Sequence, residues 1–259
     1  MKIEVEWDEL KSRFSDYIRS QALQWIAPGE RHYEHILGFN LGRLDEGRGV
    51  GAYLLDRLKP EGTIRCLDVG GGSGGVAAGL ANYRQLSVTT TEVNVRDIHR
   101  VRSATGLNFG ITVSPEDKLP FESNSFDAVV SLETFEHVRT PLQLGTEIMR
   151  VMKPGAICMV TTPARLRWLF KPDPHYHVRG LLLLPDALQP YVARWRAGVT
   201  LYDVVHTYWT LGGLVSEFPG AQVQEVMWAA PRPYRSRFMN ALWWQMRNQL
   251  WERVVLRKP

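Results

Sequence analysis

Four groups of residues have the types and spacing that chemistry needs. Asp68, Gly70, Gly72 and Gly74 alternate within Cys66-Leu67-Asp68-Val69-Gly70-Gly71-Gly72-Ser73-Gly74-Gly75, which runs into a small apolar stretch at 76–81. Glycines between a strand and a helix gather bare backbone N–H groups at a positive helix end, where the polar end of a nucleotide-like cofactor binds. Glu92 stands twenty residues past Gly72, and a carboxylate near that spacing accepts two hydrogen bonds from a ribose diol. Glu133, Glu136 and His137 are spaced i, i+3 and i+4. On a helix they would share one face and gather two carboxylates and an imidazole around a divalent ion such as Mg²⁺. His137 is also the candidate general base, because imidazole titrates near neutrality. His175 and His177, flanking Tyr176 and followed by Arg179, are the further polar groups expected near an acceptor.

The elements that must position these groups follow from periodicity and breakers. Residues 64–69 are a short apolar run bounded by Gly62 and the glycine cluster, which predicts a buried strand. Residues 76–83 read as a helix packed closely on it. Residues 87–92 predict a second strand ending on Glu92, 95–103 a helix, 111–114 a third strand and 158–162 a fifth, with a fourth between them that ends near Ser131 and Leu132. Ahead of this core, 7–26 has helical apolar spacing, stopped by Pro28-Gly29; 31–37 and 50–58 predict two more helices. Residues 204–218 suggest another helix and 221–228 a late strand.

The glycine cluster admits two readings. Gly70, Gly72 and Gly75 fit G-x-G-x-x-G, the dinucleotide fingerprint. That leaves an NAD(P)-dependent oxidoreductase as the alternative. Asp68-x-Gly70-x-Gly72-x-Gly74 instead resembles the first motif of class I S-adenosylmethionine (SAM) methyltransferases. A carboxylate two places before the first glycine suits a ligand with an ammonium and a sulfonium and would repel a pyrophosphate.

The later motifs carry the more specific resemblance. In order they are the acidic Glu116-Asp117 before Leu119-Pro120-Phe121, Ser125-Phe126-Asp127-Ala128-Val129-Val130-Ser131, Glu136-His137-Val138, and Arg150-Val151-Met152-Lys153-Pro154-Gly155. Over about residues 64 to 163 the chain resembles the methyltransferase type 11 family. The resemblance implies SAM as cofactor and S-adenosylhomocysteine (SAH) as product. It places Gly70, Gly71, Gly72 and Gly74 against the methionine end and Asp68 near the ammonium. Glu92, with Val93 beside it, would hold the ribose, and Ser131 or Leu132 would contact the cofactor. Relatives often read Asp-Ala-Glu where this chain has Pro115-Glu116-Asp117, so either Glu116 or Asp117 would meet the adenine. Glu133-x-x-Glu136-His137 is similar to the Mg²⁺ site of ubiquinone-pathway O-methyltransferases and small-RNA 2′-O-methyltransferases. Many metal-free relatives carry the same Glu-His-Val. The Asp173-Pro174-His175-Tyr176 segment leading to Leu181–Leu184 is similar to methyltransferases of cell-surface glycan assembly.

Charge is unevenly distributed. Residues 231–259 hold seven basic residues against the single Glu252, a net +6, so the other 230 residues carry −2 within a total of +4. Basic charge confined to a tail does not predict a nucleic-acid partner. Residues 234–256 interleave Trp243, Trp251 and aliphatic residues with these charges and predict a basic amphipathic helix for an anionic membrane surface. Packing on the domain itself or on a second subunit is the other reading. No apolar run of transmembrane length occurs, the first residues do not resemble a signal peptide, and Cys66 and Cys158 sit in apolar runs as free thiols. These features predict a cytoplasmic protein, peripheral at the inner membrane face if the tail docks there.

The expectation is one α/β domain, a doubly wound Rossmann-like, mostly parallel sheet. Residues 1–60 supply leading helices, 61–163 the SAM-binding core, 164–200 a lid insertion over the acceptor site, 201–230 the end of the core and 231–259 the basic helix. The expected function is SAM-dependent methyl transfer to a small molecule, sugar or lipid-linked glycan, at oxygen. A non-catalytic, membrane-docked SAM-binding protein is the remaining alternative.

Overall fold

The run at 64–69 forms β1 (Ile64–Val69), with every residue but Arg65 buried. It is one strand of a seven-stranded α/β sheet in a computed structural model that describes residues 3–22, 33–114, 118–169, 172, 176, 178–198, 207–228, 241 and 251–259. With β2 (Leu86–Glu92), β3 (Gly110–Val113), β4 (Phe126–Leu132), β5 (Met152–Thr161), β6 (Gln222–Trp228) and β7 (Trp251–Arg257), the strand order is β3-β2-β1-β4-β5-β7-β6. β1 pairs in parallel with β2 and β4, and β2 with β3; β7 brings antiparallel pairs, with β5 and β6. This is the doubly wound, mostly parallel sheet that the sequence predicts. The chain divides into two compact units, Met1–Val130 with Val151–Ala156, and Ser131–Arg150 with Ile157–Pro259.

In the first unit, β1 leads through the glycine turn into α3 (Gly75–Ala81), β2 into α4 (Arg96–Thr105), and β3 follows. The leading segment differs from expectation. α1 spans Trp7–Tyr17 and runs into a wider π-type turn at Ile18–Ala22, and the two separate helices expected at 31–37 and 50–58 are one, α2 (Tyr33–Leu58). Gly38, Gly42, Gly47, Gly49 and Gly51 make the middle of α2 a poor helix former on propensity alone. Packing overrides that. A Cβ on Gly47 would stand 2.3 Å from the Val76 carbonyl oxygen, and one on Gly79 would stand 2.4 Å from that of Leu44. The bare glycine backbones let α2 lie directly on the fully buried α3, as small residues do wherever helices approach closely.

In the second unit, α5 (Pro141–Val151) precedes β5, and β6 and β7 complete the sheet. The basic helix expected to run to 256 is corrected here: Trp251–Arg257 is strand β7, paired Val160↔Val254 and Ile157↔Arg257 with β5. Trp251, Val254, Val255 and Leu256 are buried. A strand covered on both faces is nearly continuously apolar, and such a run has no period that tells it from a buried helix. The rest of the expected helix, 234–250, lies outside the described residues apart from Ala241. The helix expected at 204–218 is also shorter. α7 covers only Leu211–Val215, because Thr210 stays extended and its Oγ1 caps the helix by accepting from Gly213 N at 3.1 Å. The insertion after β5 holds α6 (Gln189–Ala197) and short 3₁₀ turns at Arg165–Leu169 and Leu181–Leu183. No helix among the described residues is long and apolar enough to cross a membrane.

Candidate functional site

The glycine turn is held by β2. Gly70 N and Gly71 N both donate to the Thr91 carbonyl oxygen, at 3.0 and 2.9 Å, and Gly74 N donates to Gly71 O at 2.8 Å. Gly70, Gly72 and Gly74 have φ of 78, 53 and 80°, a region that side-chain-bearing residues rarely adopt. Gly71 is required for a different reason: its Cβ would fall 2.1 Å from Thr90 Oγ1 and 3.3 Å from Asp68 Oδ2. The three expected alternating glycines and Gly71 therefore form one turn, with the Asp68 carboxylate beneath it.

Asp68 is 2% exposed and accepts one hydrogen bond, from Thr90 Oγ1 at 2.9 Å. Burial pushes its carboxyl up to about 6, against the Thr90 hydrogen bond and the Arg43 guanidinium, while Glu92 and Glu46 add to the rise. Arg43 is itself paired with Glu46 at 2.6 Å. The floor of the turn is thus short of positive charge. Glu92 does more than the sequence implies. Its Oε2 accepts from Gly72 N at 3.0 Å and its Oε1 from Val93 N at 2.7 Å, so the expected ribose carboxylate also braces the turn. Each oxygen keeps a lone pair for a hydroxyl. Val93 is 58% exposed at the rim. Glu116 and Asp117, the expected adenine contacts, lie outside the described residues. The bare cradle over Asp68, the undercompensated carboxylate and the free lone pairs of Glu92 fit the methionine end and ribose of SAM.

The second unit holds the remaining predicted groups. Ser131 is fully buried and its Oγ has no hydrogen-bond partner; Leu132 beside it is 2% exposed. Glu133 has φ of 54°, and its N–H donates to both the carbonyl oxygen and Oγ1 of Thr161 at 3.0 Å. Residues 135–137 then form a turn and not a helix. The shared helix face assumed for a metal at Glu133, Glu136 and His137 therefore does not exist, and no group of three metal-ligating side chains occurs among the described residues. The left-handed residue at Glu133 is the physical reason, since it cannot begin a regular α-turn.

Glu136 is buried and accepts from Thr162 Oγ1 at 3.2 Å. Burial pushes its carboxyl well above the usual range, and the charge of Glu133 and a hydrogen bond shared with it act the same way. His137 is exposed, with its N–H on Thr134 O. His175 and His177 lie outside the described residues. The sequence reading missed three partners. Thr161 and Thr162 close the end of β5, and the Tyr208 hydroxyl is buried without a well-formed partner, its phenol pushed up by burial and by Glu217 and Glu136. Thr161-Thr162 at a strand end was a visible signal; Tyr208 offered none, because only folding brings it near Glu136.

Comparison with known proteins agrees with this geometry. Residues 67–160 match the methyltransferase domain family. A sterol 24-C-methyltransferase of Gibberella zeae is 32% identical over 130 residues, 48% of this chain and 30% of that one. An uncharacterised methyltransferase of Mycobacterium leprae is 37% identical over 105 residues, 39% of this chain and 38% of that one. The chain thus matches only about a third of the length of these relatives. A SAM-dependent methyltransferase from Methanosarcina mazei has the same fold at 18% identity, with a TM-score of 0.51 over 79% of this chain and 96% of that one. The matched family replaces the nicotinamide reading of the glycines, and SAM is the cofactor it brings. Residues 67–160 thus form a methyltransferase domain, similar to those of the class I SAM-dependent methyltransferases.

Proposed function

We propose that this protein methylates a small-molecule or lipid acceptor, at an oxygen. When bound, SAM supplies an electrophilic methyl carbon on a sulfonium; the acceptor oxygen forms the new bond to carbon, the carbon–sulfur bond breaks and SAH leaves. The chain has to hold the cofactor, align the acceptor and take one proton from its hydroxyl. Asp68 holds the ammonium and Glu92 the ribose diol. His137 is the base in this reading, because it is exposed to an incoming hydroxyl, and His175 and His177 are further acceptor contacts. Ser131 and Leu132 complete the cofactor contacts. The name of the Gibberella relative supports a lipid among the acceptor classes; the sugar and lipid-linked glycan classes rest on the sequence resemblance.

The observation that carries the proposal is the buried Asp68 carboxylate under a glycine turn braced by Glu92. SAH is expected to raise the melting temperature and NADH to leave it unchanged. Tritium from labelled SAM is expected in hydroxyl-bearing acceptors, with His137→Asn lowering kcat by about a hundredfold at little cost in KM. Absence of SAH binding would remove the reading, and label appearing on carbon would remove the oxygen assignment.

A further inference from the structure

The insertion after β5 presents an apolar ridge that nothing in methyl transfer requires. Gln189 and Ala193 of α6 are buried, whereas Leu188, Tyr191 and Trp195 are 50, 70 and 75% exposed. Their spacings of three and four residues put them in one row on the outer side of the helix. Arg194 and Arg196, both exposed, flank that row, and the Arg196 guanidinium lies over the Trp195 ring at 4.7 Å. Residues 187–198 contain no acid.

The ridge is rigidly mounted. Arg165, with its side chain 10% exposed, donates to the carbonyls of Leu182 and Leu184 and to Asp186 Oδ1. Gln189 Nε2 donates to the same Leu184 carbonyl and Asp186 carboxylate, both at 3.0 Å. The inner side of α6 is therefore tied down through Gln189 by part-buried hydrogen bonds while its outer side stays bare.

We propose that the outer face of α6 docks on an anionic phospholipid surface. Tyr and Trp place an apolar ring body below a polar tip, which suits the headgroup boundary, and arginines beside them reach the phosphates. Charge selects this occupant over the others. A second copy meeting α6 face to face would oppose arginine to arginine, across a nine-residue helix far smaller than the roughly 800 Å² per partner of a stable interface. The chain's own segment 231–250 holds Arg232, Arg235, Arg237 and Arg247 and no acid, so it would be repelled.

Sedimentation with phosphatidylcholine vesicles, with and without phosphatidylglycerol, tests the docking. The full chain is expected to bind only the mixed vesicles, less tightly as salt rises. Tyr191→Ser with Trp195→Ser is expected to weaken binding about tenfold or more through lost apolar insertion. Arg194→Gln with Arg196→Gln is expected to weaken it about thirtyfold at low salt and to flatten the salt dependence. All four positions are exposed, so unchanged melting temperatures confirm that the variants fold. Equal binding to both vesicle types, no binding, or double variants that bind as the parent does would overturn the proposal. So would a dimer that Tyr191→Ser with Trp195→Ser dissociates without any vesicle binding.

Discussion

Thr90 Oγ1 lies 2.9 Å from Asp68 Oδ2 and occupies the space that a side chain on Gly71 would need. One hydroxyl thus orients the buried carboxylate and fixes the residue above it as glycine. The buried carboxylate and the bare backbone over it are one packed unit, which makes the turn sensitive to single methyl groups.

The pH dependence of cofactor binding follows from Asp68. Its folded-state carboxyl titrates at about 6, against an ordinary value of 3.8, so the ligand-free folded state binds more protons than the unfolded state between these values. Stability is therefore full below the unfolded value and is lost as pH rises through about 6, by about 3 kcal/mol from this residue. An ammonium favours the ionised carboxyl, so SAH affinity should rise through the same interval. Asp68→Asn keeps an acceptor for Thr90, and titration calorimetry at pH 5 to 8 should show a flat, weaker SAH affinity. A slope unchanged from the parent would assign the titration to another group.

Gly71→Ala should cost about 1–3 kcal/mol, because its methyl must displace a buried hydroxyl. Thr90→Ala in that background removes the clash and the hydrogen bond to Asp68 together. The double variant should regain melting temperature without regaining SAH affinity. Recovery of both would show that Thr90 does not orient the carboxylate.

Glu92→Ala leaves Gly72 N and Val93 N without their acceptor. Amide exchange at Gly72 should accelerate in the ligand-free protein, and SAH should bind about a hundredfold more weakly, a charged-group hydrogen-bond loss of about 3 kcal/mol. Glu92→Gln should restore slow exchange in part. Unchanged exchange in Glu92→Ala would confine Glu92 to the ribose.

Glu136→Gln tests the buried carboxyl. The raised carboxyl of Glu136 means that its contribution to stability is present at low pH and lost as pH rises through its folded value. The amide keeps a partner for Thr162 and removes the titration. The variant should equal the parent in melting temperature at acidic pH and exceed it at pH 8 to 9. A variant less stable at high pH would show that the ionised form is the stabilising one.

Much of this was legible in the chain itself. The order Asp68, alternating glycines and Glu92 pointed to the strand–turn–helix, because φ angles near 50 to 80° are a demand that few residue types meet; the cofactor class came from the resemblance carried by the later motifs. β1 and β2 were read to within a residue or so, each a short run next to a strong breaker or a turn. Where local pattern and tertiary contact disagree, only the structure decides. The glycines of α2 argue locally against a helix and turn out to be its packing surface on α3. Trp251 to Arg257 has no period because both of its faces are covered, so it reads equally as helix or strand until β5 and β6 pair with it. Glu133, Glu136 and His137 have the spacing of a helix face, but a left-handed Glu133 bound to Thr161 breaks that face, leaving Glu136 buried and His137 exposed. Spacing along a chain gives a face only once the backbone between the residues is known, and that backbone is set by partners far away in sequence.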